Sequence, residues 1–301
     1  MSKCSKPLLY ESLTTVIKFT EPNLRIHLAR HLPSIKTVYK SIPLNIASLV
    51  FEKDKTIVNG TPYQIEVIGR HQKNPQIKGA DQFGDLQLTP KRYHDWIEDM
   101  DNELHGCQAT IQDANGTQTY RSSCTFSQGL RYLNTVILGG NNHPIRVNEF
   151  HVAEGVETIR LPIGIKFNIH KITVEIMHIG KFGPILDTFP ERVELINCTV
   201  FTGSPEEVLT GPIVKNAKRI IIKEAASHSW KINIRRLSNL EVDLKYSKTD
   251  FTQFEDLVQH CVADGRPVGT TYWIGFAYMD EAILFLNEIK LRMSVRSSTR
   301  R

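Results

Sequence analysis

The 301-residue sequence lacks several features that would place it in a specialised class of protein. It has no stretch of about 18 consecutive apolar residues, so no membrane-spanning helix is predicted. The first ten residues carry lysines but no apolar run of the length found in secretory signals. Cysteine is scarce, with five residues and no C-x-x-C pair, which is typical of a reducing compartment. We therefore expect a cytoplasmic or nuclear protein without a membrane partner.

The body of the chain also lacks excess charge. Lysine and arginine total 37 against 32 acidic residues, which gives a formal net charge of +5. The last twelve positions hold no acid and five basic residues, namely Lys290, Arg292, Arg296, Arg300 and Arg301. The sequence thus predicts a neutral body with a solvated basic tail over 294–301. Because nucleic-acid-binding domains usually carry their positive charge on a folded face, no nucleic-acid partner is expected.

Motifs for common catalytic chemistry are absent from the sequence. It contains no phosphate-binding GxxxxGK[ST], no dinucleotide-binding GxGxxG, no GxSxG nucleophile elbow and no zinc-binding HExxH. His105 and Cys107 are the closest pair of possible metal ligands, and no second pair stands at zinc-finger spacing. His260 and Cys261 are neighbours in a predicted helix, where successive side chains point about 100° apart, so they do not form a base–thiol pair. We predict no enzymatic activity, no cofactor and no metal site.

The first region of the chain, 1–44, predicts three short helices. An apolar helix face is indicated by the i, i+4, i+7, i+8 spacing of Leu9, Leu13, Val16 and Ile17. Pro22 and Pro33 suit the first turns of the second and third helices, where a missing N–H costs nothing. In the second helix one face is shared by Leu24, Leu28 and Leu32. Three such helices bury too little apolar surface to be stable alone, so we expect a partner or the rest of the chain to cover them.

The second region, 45–140, predicts a mixture of strands, hairpins and helices. Asn59-Gly60 marks a turn between two strand-like stretches. Pro90 is expected to begin a helix through Ile97. A further helix is predicted from the spacing of its apolar residues up to the glycine pair that follows, and these residues are Phe126, Leu130, Leu133 and Ile137.

The segment CQATIQDANGTQTYRSSC predicts a β-hairpin, because Asn115-Gly116 at its centre is a strong two-residue turn signal. A turn centred there sets Cys107 directly opposite Cys124 at a non-hydrogen-bonded position, where side chains approach closely. A disulfide is geometrically possible in this register. Two unlinked thiols remain the alternative in a reducing compartment.

The third region, 141–293, predicts a series of short strands. The candidates are IRVNEFHV, VETIRL, HKITVEI, RVELIN, KRIIIK and NLEVDLKY. Four of them recur at short and similar intervals, within the range of leucine-rich-repeat-like solenoids with one parallel strand per repeat. A helix over 251–264, a strand in TTYWIGFAY and a final helix through Ile283, Leu286 and Ile289 complete the chain. We predict an α+β fold that ends in a curved strand–helix solenoid.

Alternation along these strands predicts which side chains face outward. Val193, Ile220 and Val242 are expected in the core, together with Leu195, Ile222, Leu240 and Leu244. A candidate substrate-binding surface is then formed by the outward residues Arg219, Lys223, Glu241 and Asp243. Because both charge signs are present, the surface suits a protein or peptide better than a polyanion. A solvated sheet face without a ligand is the alternative.

Two parts of the sequence resemble a known family. The opening PLLYESLTTVIKFTEPNLRIHLARHLPSIKTVYKSIPL resembles the F-box-like opening of a nematode-expanded family of F-box-associated proteins, in the pattern PLxYxSL…VxxxxxxNxRIxLxxxxPSIxxxxKSIPL. LNTVILGGNNHPIRVNEFHV resembles the uncharacterised domain of the same family. LVQHCVADGRPVGTTYWIGF resembles the helix–glycine–strand segment that closes many of these domains.

The resemblance implies a substrate receptor of a cullin-RING ubiquitin ligase, in which an F-box docks on a Skp-type adaptor and the remainder recruits a protein substrate. The adaptor contacts carried over by position are Leu8, Leu9, Leu13, Val16, Ile17, Leu24 and Leu28. This sequence has Leu8-Leu9 where the F-box pattern begins with Leu-Pro, and Tyr39 near the place of a tryptophan. The alternative is an interaction or scaffold protein of related fold that no longer binds the adaptor.

Overall fold

The computed structural model describes residues 10–68, 85–88, 106–113, 116–123, 126–196, 209–225, 237–247, 265–276 and 278–298, and shows an α+β protein. The chain divides into two compact units, the first of residues 1–171 and 181–189, the second of 172–180 and 190–301. The described α-helices are α1 (Tyr10–Phe19), α2 (Pro22–His31), α3 (Pro33–Ser41), α4 (Phe126–Leu138), α5 (Pro212–Asn216) and α6 (Met279–Ser298).

The described strands are β1 (Asn45–Phe51), β2 (Lys55–Val58), β3 (Thr61–Ile68), β4 (Leu86–Gln87), β5 (Gly106–Asp113), β6 (Gly116–Ser123), β7 (Ile145–Val152), β8 (Thr158–Ile159), β9 (Phe167–Glu175), β10 (Leu186–Thr188), β11 (Arg192–Ile196), β12 (Arg219–Ala225), β13 (Glu241–Ser247) and β14 (Thr271–Ile274). A 3₁₀ segment, Ile176–Ile185, connects β9 to β10. The helices predicted from Pro90 and over 251–264 lie outside the described residues.

The three N-terminal helices form where the sequence predicts them, and each of the two prolines stands in a first helical turn. Their faces meet in a buried cluster of Ile17, Val38 and Ile42. Leu13, Leu28 and Ile35 are partly buried against this cluster. The segment therefore has a small apolar core of its own, built from all three helices.

The second helix turns a different face inward from the one that its leucines share. Arg25 and Ile26 are each 2% exposed, whereas Leu24 is 45% exposed. The guanidinium of Arg25 donates hydrogen bonds to the carbonyl oxygens of Pro43 and Ile42, both at 3.0 Å. These carbonyls lie between α3 and β1. The buried guanidinium of Arg25 therefore satisfies backbone acceptors in the segment that connects the helices to the sheet.

In the first unit, hairpins and parallel pairings build a mixed sheet in which the strands follow the order β7-β1-β2-β3-β5-β6. The strands β1 and β7 are parallel, while β1, β2, β3, β5 and β6 pair antiparallel along the chain. The predicted Asn59-Gly60 turn is confirmed, since both residues have positive φ, 49° and 83°, as a two-residue hairpin loop requires. The helix α4 is also confirmed and packs on β3 and β5.

The hairpin of β5 and β6 is confirmed, but its predicted register is wrong. Cys107 pairs with Ser122, and the innermost described pair is Asp113 with Gly116. Gly116 is thus the first paired residue of β6 and not part of the turn, which moves the register by two residues. Cys124 lies outside the described residues, and the predicted direct opposition to Cys107 does not occur.

A buried polar network attaches α4 to the strands around it. Asn134 is 1% exposed; its side-chain nitrogen donates to the carbonyl oxygen of Arg160 at 2.6 Å, and its side-chain oxygen accepts from Thr56 at 2.7 Å. The guanidinium of Arg160 is in turn paired with the carboxylate of Asp85, which also accepts from Arg131 at 2.7 Å. Burying these groups is tolerated because each finds a partner.

The second unit contains four parallel strands in the order β11-β12-β13-β14. Arg192, Arg219, Glu241 and Thr271 are partners in one row across the four strands, so each strand begins at the same level of the sheet. The predicted core face is confirmed for most of its members, because 0–5% of each side chain is exposed for Val193, Leu195, Ile220, Ile222, Val242 and Leu244. Leu240 is the exception at 39%, since it precedes β13 and does not take part in its alternation.

Candidate functional site

The N-terminal helices keep several large apolar side chains exposed. Phe19 is 79% exposed and Val16 51%, both on α1, and Leu24 on α2 is 45% exposed. Tyr10 and Leu32 are also exposed, at 61% and 44%. We call Val16, Phe19 and Leu24 the N-terminal apolar surface. Large apolar side chains that stay exposed on neighbouring helices are candidates for a protein–protein contact.

The residues expected to contact an adaptor divide into four groups. Val16 and Leu24 are exposed, and Leu13 and Leu28 are partly buried against the helix core. Ile17 is 1% exposed, so its expected place on the docking surface is wrong: the side chain fills the space between α1 and α3. Leu8 and Leu9 lie outside the described residues.

Phe19 is a surface residue that the sequence pattern did not reveal. It stands two residues after Ile17 and therefore outside the apolar face that leads to the helix core. Its exposure of 79% is the largest of the apolar side chains on α1. An apolar residue out of phase with a helix face is the signal that could have identified it.

In the second unit, the predicted outward residues of β12 and β13 interact with one another. Arg219 donates from Nη2 to Asp243 at 3.0 Å and has its Nη1 3.8 Å from a carboxylate oxygen of Glu241. Its guanidinium also lies over the ring of Trp273, 4.9 Å from the ring centroid. One arginine therefore links β12, β13 and β14 on the face opposite the apolar core. We call Arg219, Glu241, Asp243 and Trp273 the arginine cluster.

Lys223 forms a separate ion pair with Glu194 across β12 and β11. The side chain of Lys223 is 44% exposed, and that of Glu194 only 6%. The register places Glu194 opposite Ile221 and Ile221 opposite Asp243, so Glu194 lies on the same face of the sheet as Asp243.

The predicted exposure of this face is wrong for Asp243. The residue is 6% exposed, because it lies between Arg219 and Lys245, whose Nζ is 3.8 Å from the same carboxylate oxygen. Arg219 and Glu241 are partly buried. The accessible part of the candidate surface therefore consists of Lys223, Lys245 and Trp273, with Arg219 and Glu241 at its margin.

Two negative findings apply to the part of the chain that the structure describes. No three histidine, cysteine, aspartate or glutamate side chains come together in a way that could hold a metal ion. None of the described helices is both long enough and apolar enough to cross a membrane.

Comparison with known proteins places this second candidate surface within a recognised domain. A model of a domain of unknown function, DUF3557, matches residues 125–277, about half of the chain. The match begins with α4 and includes β7 and every strand of the arginine cluster. No curated protein and no solved structure matches the chain. The chain belongs to the DUF3557 family.

Proposed function

We propose that this protein is a non-enzymatic substrate receptor of a cullin-RING ubiquitin ligase. The N-terminal helices bind a Skp-type adaptor, and the second unit binds a protein substrate. The observation that carries the proposal is the exposure of Val16, Phe19 and Leu24 on a three-helix segment whose sequence resembles an F-box. Burial of side chains of this size contributes about 1.5–3 kcal/mol each, which is sufficient for these residues to dominate a contact.

The helix segment suits docking because its fold does not depend on the apolar surface that it presents. Ile17, Val38 and Ile42 hold the helices together from within. Arg25 fixes the end of α3 through the carbonyl oxygens of Ile42 and Pro43. The exposed residues are therefore positioned on a preformed scaffold, which lowers the entropy cost of binding.

For the substrate we propose the face of the parallel strands around the arginine cluster, as part of a leucine-rich-repeat-like solenoid. Parallel strands that recur at short and similar intervals along the chain support this proposal. Lys223 and Trp273 offer an accessible cation and an aromatic ring on one face. Arginine, lysine and aromatic side chains of this kind suit a protein partner with acidic and apolar groups.

The test is co-purification of the tagged full-length protein with a Skp-type adaptor. We expect Val16→Asp with Phe19→Asp to abolish co-purification, because a charge buried without a partner in the interface is costly. The matched control is Lys18→Asp, which is exposed on the same helix and changes the net charge by the same amount. Both variants should keep the melting temperature of the wild-type protein, since neither alters a core residue.

The alternative function, a scaffold that does not join a ligase, makes a different prediction for the same experiment. Leu8-Leu9 in place of Leu-Pro favours this alternative. If the wild-type protein captures no adaptor, or if the double variant captures it as well as the Lys18→Asp control, the ligase connection is excluded. Substrate capture by the face around the arginine cluster would then be measured by itself.

A further inference from the structure

An open cavity of about 650 Å³ lies among α2, α3 and the end of α4. This volume falls in the range of sites for small organic ligands, about 300–1,000 Å³. Apolar and aromatic groups form part of its wall, namely Ile26, Tyr39, Tyr132 and Val136. The two glycines after α4 complete the wall, and Gly140 has φ +79° with the side chain of Lys40 close against it. All these residues belong to the first unit.

The charged side chains that line the cavity are all basic. They are Arg30 and His31 at the end of α2, and Lys36 and Lys40 on α3, and the lining residues that the structure describes include no acidic side chain. Arginine and lysine side chains are cationic hydrogen-bond donors without an acceptor, which suits them to bind an anion. An anion that enters the cavity therefore meets the two lysines with no carboxylate among the described lining residues to oppose them.

The fold itself explains only some of these charges. Arg30 and His31 stand in the last turn of α2, and Lys40 stands in the last turn of α3, where a cation interacts favourably with the helix dipole. Lys36 stands in the first turn of α3, where the dipole disfavours a cation. Lys36 and Lys40 are also four residues apart, a spacing at which like charges repel. Within the described residues neither lysine forms an ion pair, so both ammonium groups face the cavity without a counter-charge.

We propose that this cavity binds a phosphomonoester carried on an apolar or aromatic body. The phosphate dianion matches the cluster of Arg30, Lys36 and Lys40, and the body packs on Ile26, Tyr132 and Val136. Both lysines donate charge-assisted hydrogen bonds to the phosphate oxygens. The inference does not depend on adaptor binding, because Val16, Phe19 and Leu24 do not line the cavity.

The test follows the backbone amides of Gly139 and Gly140 in the full-length protein by nitrogen–proton NMR. The probes are phenyl phosphate, inorganic phosphate and benzoate. We expect saturable shifts at these two glycines, with phenyl phosphate bound most tightly, because it alone combines the dianion with an aromatic body. Lys36→Gln with Lys40→Gln should lower the affinity for phenyl phosphate at least about tenfold, as expected for the loss of charge-assisted hydrogen bonds.

The matched control is Lys18→Gln with Lys53→Gln, two exposed lysines that do not line the cavity. This pair should leave the affinity within about twofold, because charges on the open surface are largely screened by salt. If packing of Lys40 against Gly140 makes the first double variant unstable, Lys36→Gln alone serves, since that side chain is exposed and forms no hydrogen bond in the described residues. The phosphomonoester can belong to a phosphorylated protein or to a small molecule, and a peptide with one phosphotyrosine distinguishes the two. Tighter binding of the peptide than of phenyl phosphate indicates a phosphorylated protein. Equal or weaker binding of the peptide indicates a small molecule.

Three results would overturn the proposal. The first is the absence of saturable shifts at Gly139 and Gly140 with phenyl phosphate. The second is benzoate or inorganic phosphate binding as tightly as phenyl phosphate. The third is an unchanged affinity when Lys36 and Lys40 are replaced in a protein that retains the wild-type melting temperature.

Discussion

The guanidinium of Arg25 lies over the ring of Tyr39, with its central carbon 5.2 Å from the ring centroid. The same guanidinium donates to the carbonyl oxygens of Ile42 and Pro43 at 3.0 Å, and it approaches that of Tyr39 at 3.4 Å. A planar group with five donors can satisfy several acceptors and an aromatic face together, which a lysine ammonium cannot do. The pair thus links α2 to the end of α3.

Replacing Arg25 with methionine should lower the free energy of unfolding by about 2–4 kcal/mol. The substitution keeps an apolar stem of similar length but leaves buried carbonyl oxygens without donors, at about 1–3 kcal/mol for each such group. Urea unfolding followed by circular dichroism measures the change. The control Lys36→Met removes one positive charge from an exposed position on α3 and should change stability by less than about 0.5 kcal/mol. Equal effects of the two substitutions would contradict the role given to Arg25.

Tyr39 should make stability fall at alkaline pH. Burial raises the pKa of its hydroxyl above the ordinary value, and this effect exceeds the opposing influences of a hydrogen bond with Asn141 and the charge of Arg25. A raised pKa in the folded state means that the stabilisation is complete below about pH 10 and is lost as the pH rises from there through the folded pKa.

The measurement compares the wild-type protein with Tyr39→Phe between pH 8 and pH 11. At pH 8 the variant should be less stable by at most about 2 kcal/mol, since the hydroxyl donates a long bond of 3.4 Å to Ile137 and forms a second hydrogen bond with Asn141. Above about pH 10 the stability of the wild-type protein should fall faster than that of Tyr39→Phe. Other tyrosines and lysines titrate in both proteins and cancel in the difference. If the stabilities of the two proteins fell in parallel over this pH range, burial would not raise the pKa of Tyr39.

The spacing of the apolar residues was sufficient to predict the N-terminal helices, α4 and the strands of the second unit. Period and turn residues determine local structure wherever one face is buried, as for Ile220 and Ile222 on β12. What spacing did not show is the buried role of Arg25, because a charged residue is ordinarily placed on the surface. Its partners are backbone carbonyls 14 to 18 residues later in the chain, and they carry no signal in side-chain identity.

The sequence pattern also could not predict the register of β5 and β6. Asn115-Gly116 favours a two-residue turn, but the strands pair Asp113 with Gly116 and so move each partner by two positions. A shift of two residues keeps every side chain on its original face, so alternation cannot distinguish the two registers. The pairing of β5 with β3 on its other edge is a tertiary contact that the hairpin sequence does not encode.

The burial of Asp243 in the predicted substrate surface also could not be predicted from the sequence. Alternation correctly separates Asp243 from Val242, but it does not report how deeply a polar face is covered. Arg219 and Lys245 both pair with the same oxygen of the Asp243 carboxylate. Contacts between neighbouring parallel strands that are distant in the sequence therefore convert an outward residue into a buried one.

Asn134 should prove essential for the stability of the first unit. Replacement by alanine leaves the hydroxyl of Thr56 and the carbonyl oxygen of Arg160 without the partner that each now has in the amide. Two such losses predict a decrease of about 2–4 kcal/mol in the free energy of unfolding. The neighbouring Thr135→Ala is the control, because Thr135 is exposed and its hydroxyl donates only within α4, to the carbonyl oxygen of Arg131. We expect Thr135→Ala to lie within about 0.5 kcal/mol of the wild-type protein in the same urea titration.

The arginine cluster allows stability to be separated from partner binding. Asp243→Asn keeps the shape of the side chain but removes the charge that Arg219 contacts at 3.0 Å. Because the Asp243 side chain is only 9% exposed, water cannot replace the lost interaction, and we expect a decrease of about 1–3 kcal/mol in the free energy of unfolding. The decrease should persist in 1 M salt, since buried pairs are screened much less than exposed ones.

Glu241→Gln is the matched variant. Its carboxylate is 3.8 Å from Arg219 and its side chain is 28% exposed, so removal of the charge should cost less than about 1 kcal/mol, and less still in 1 M salt.

If the face around Trp273 binds a substrate, Lys223→Glu and Glu241→Gln should weaken capture of that substrate while the protein stays folded. Asp243→Asn would lower capture only together with stability, so it cannot serve as a probe of binding. If neither Asp243→Asn nor Glu241→Gln changed the melting temperature, Asp243 would be solvated. The arginine cluster would then be a surface feature and would not stabilise the fold.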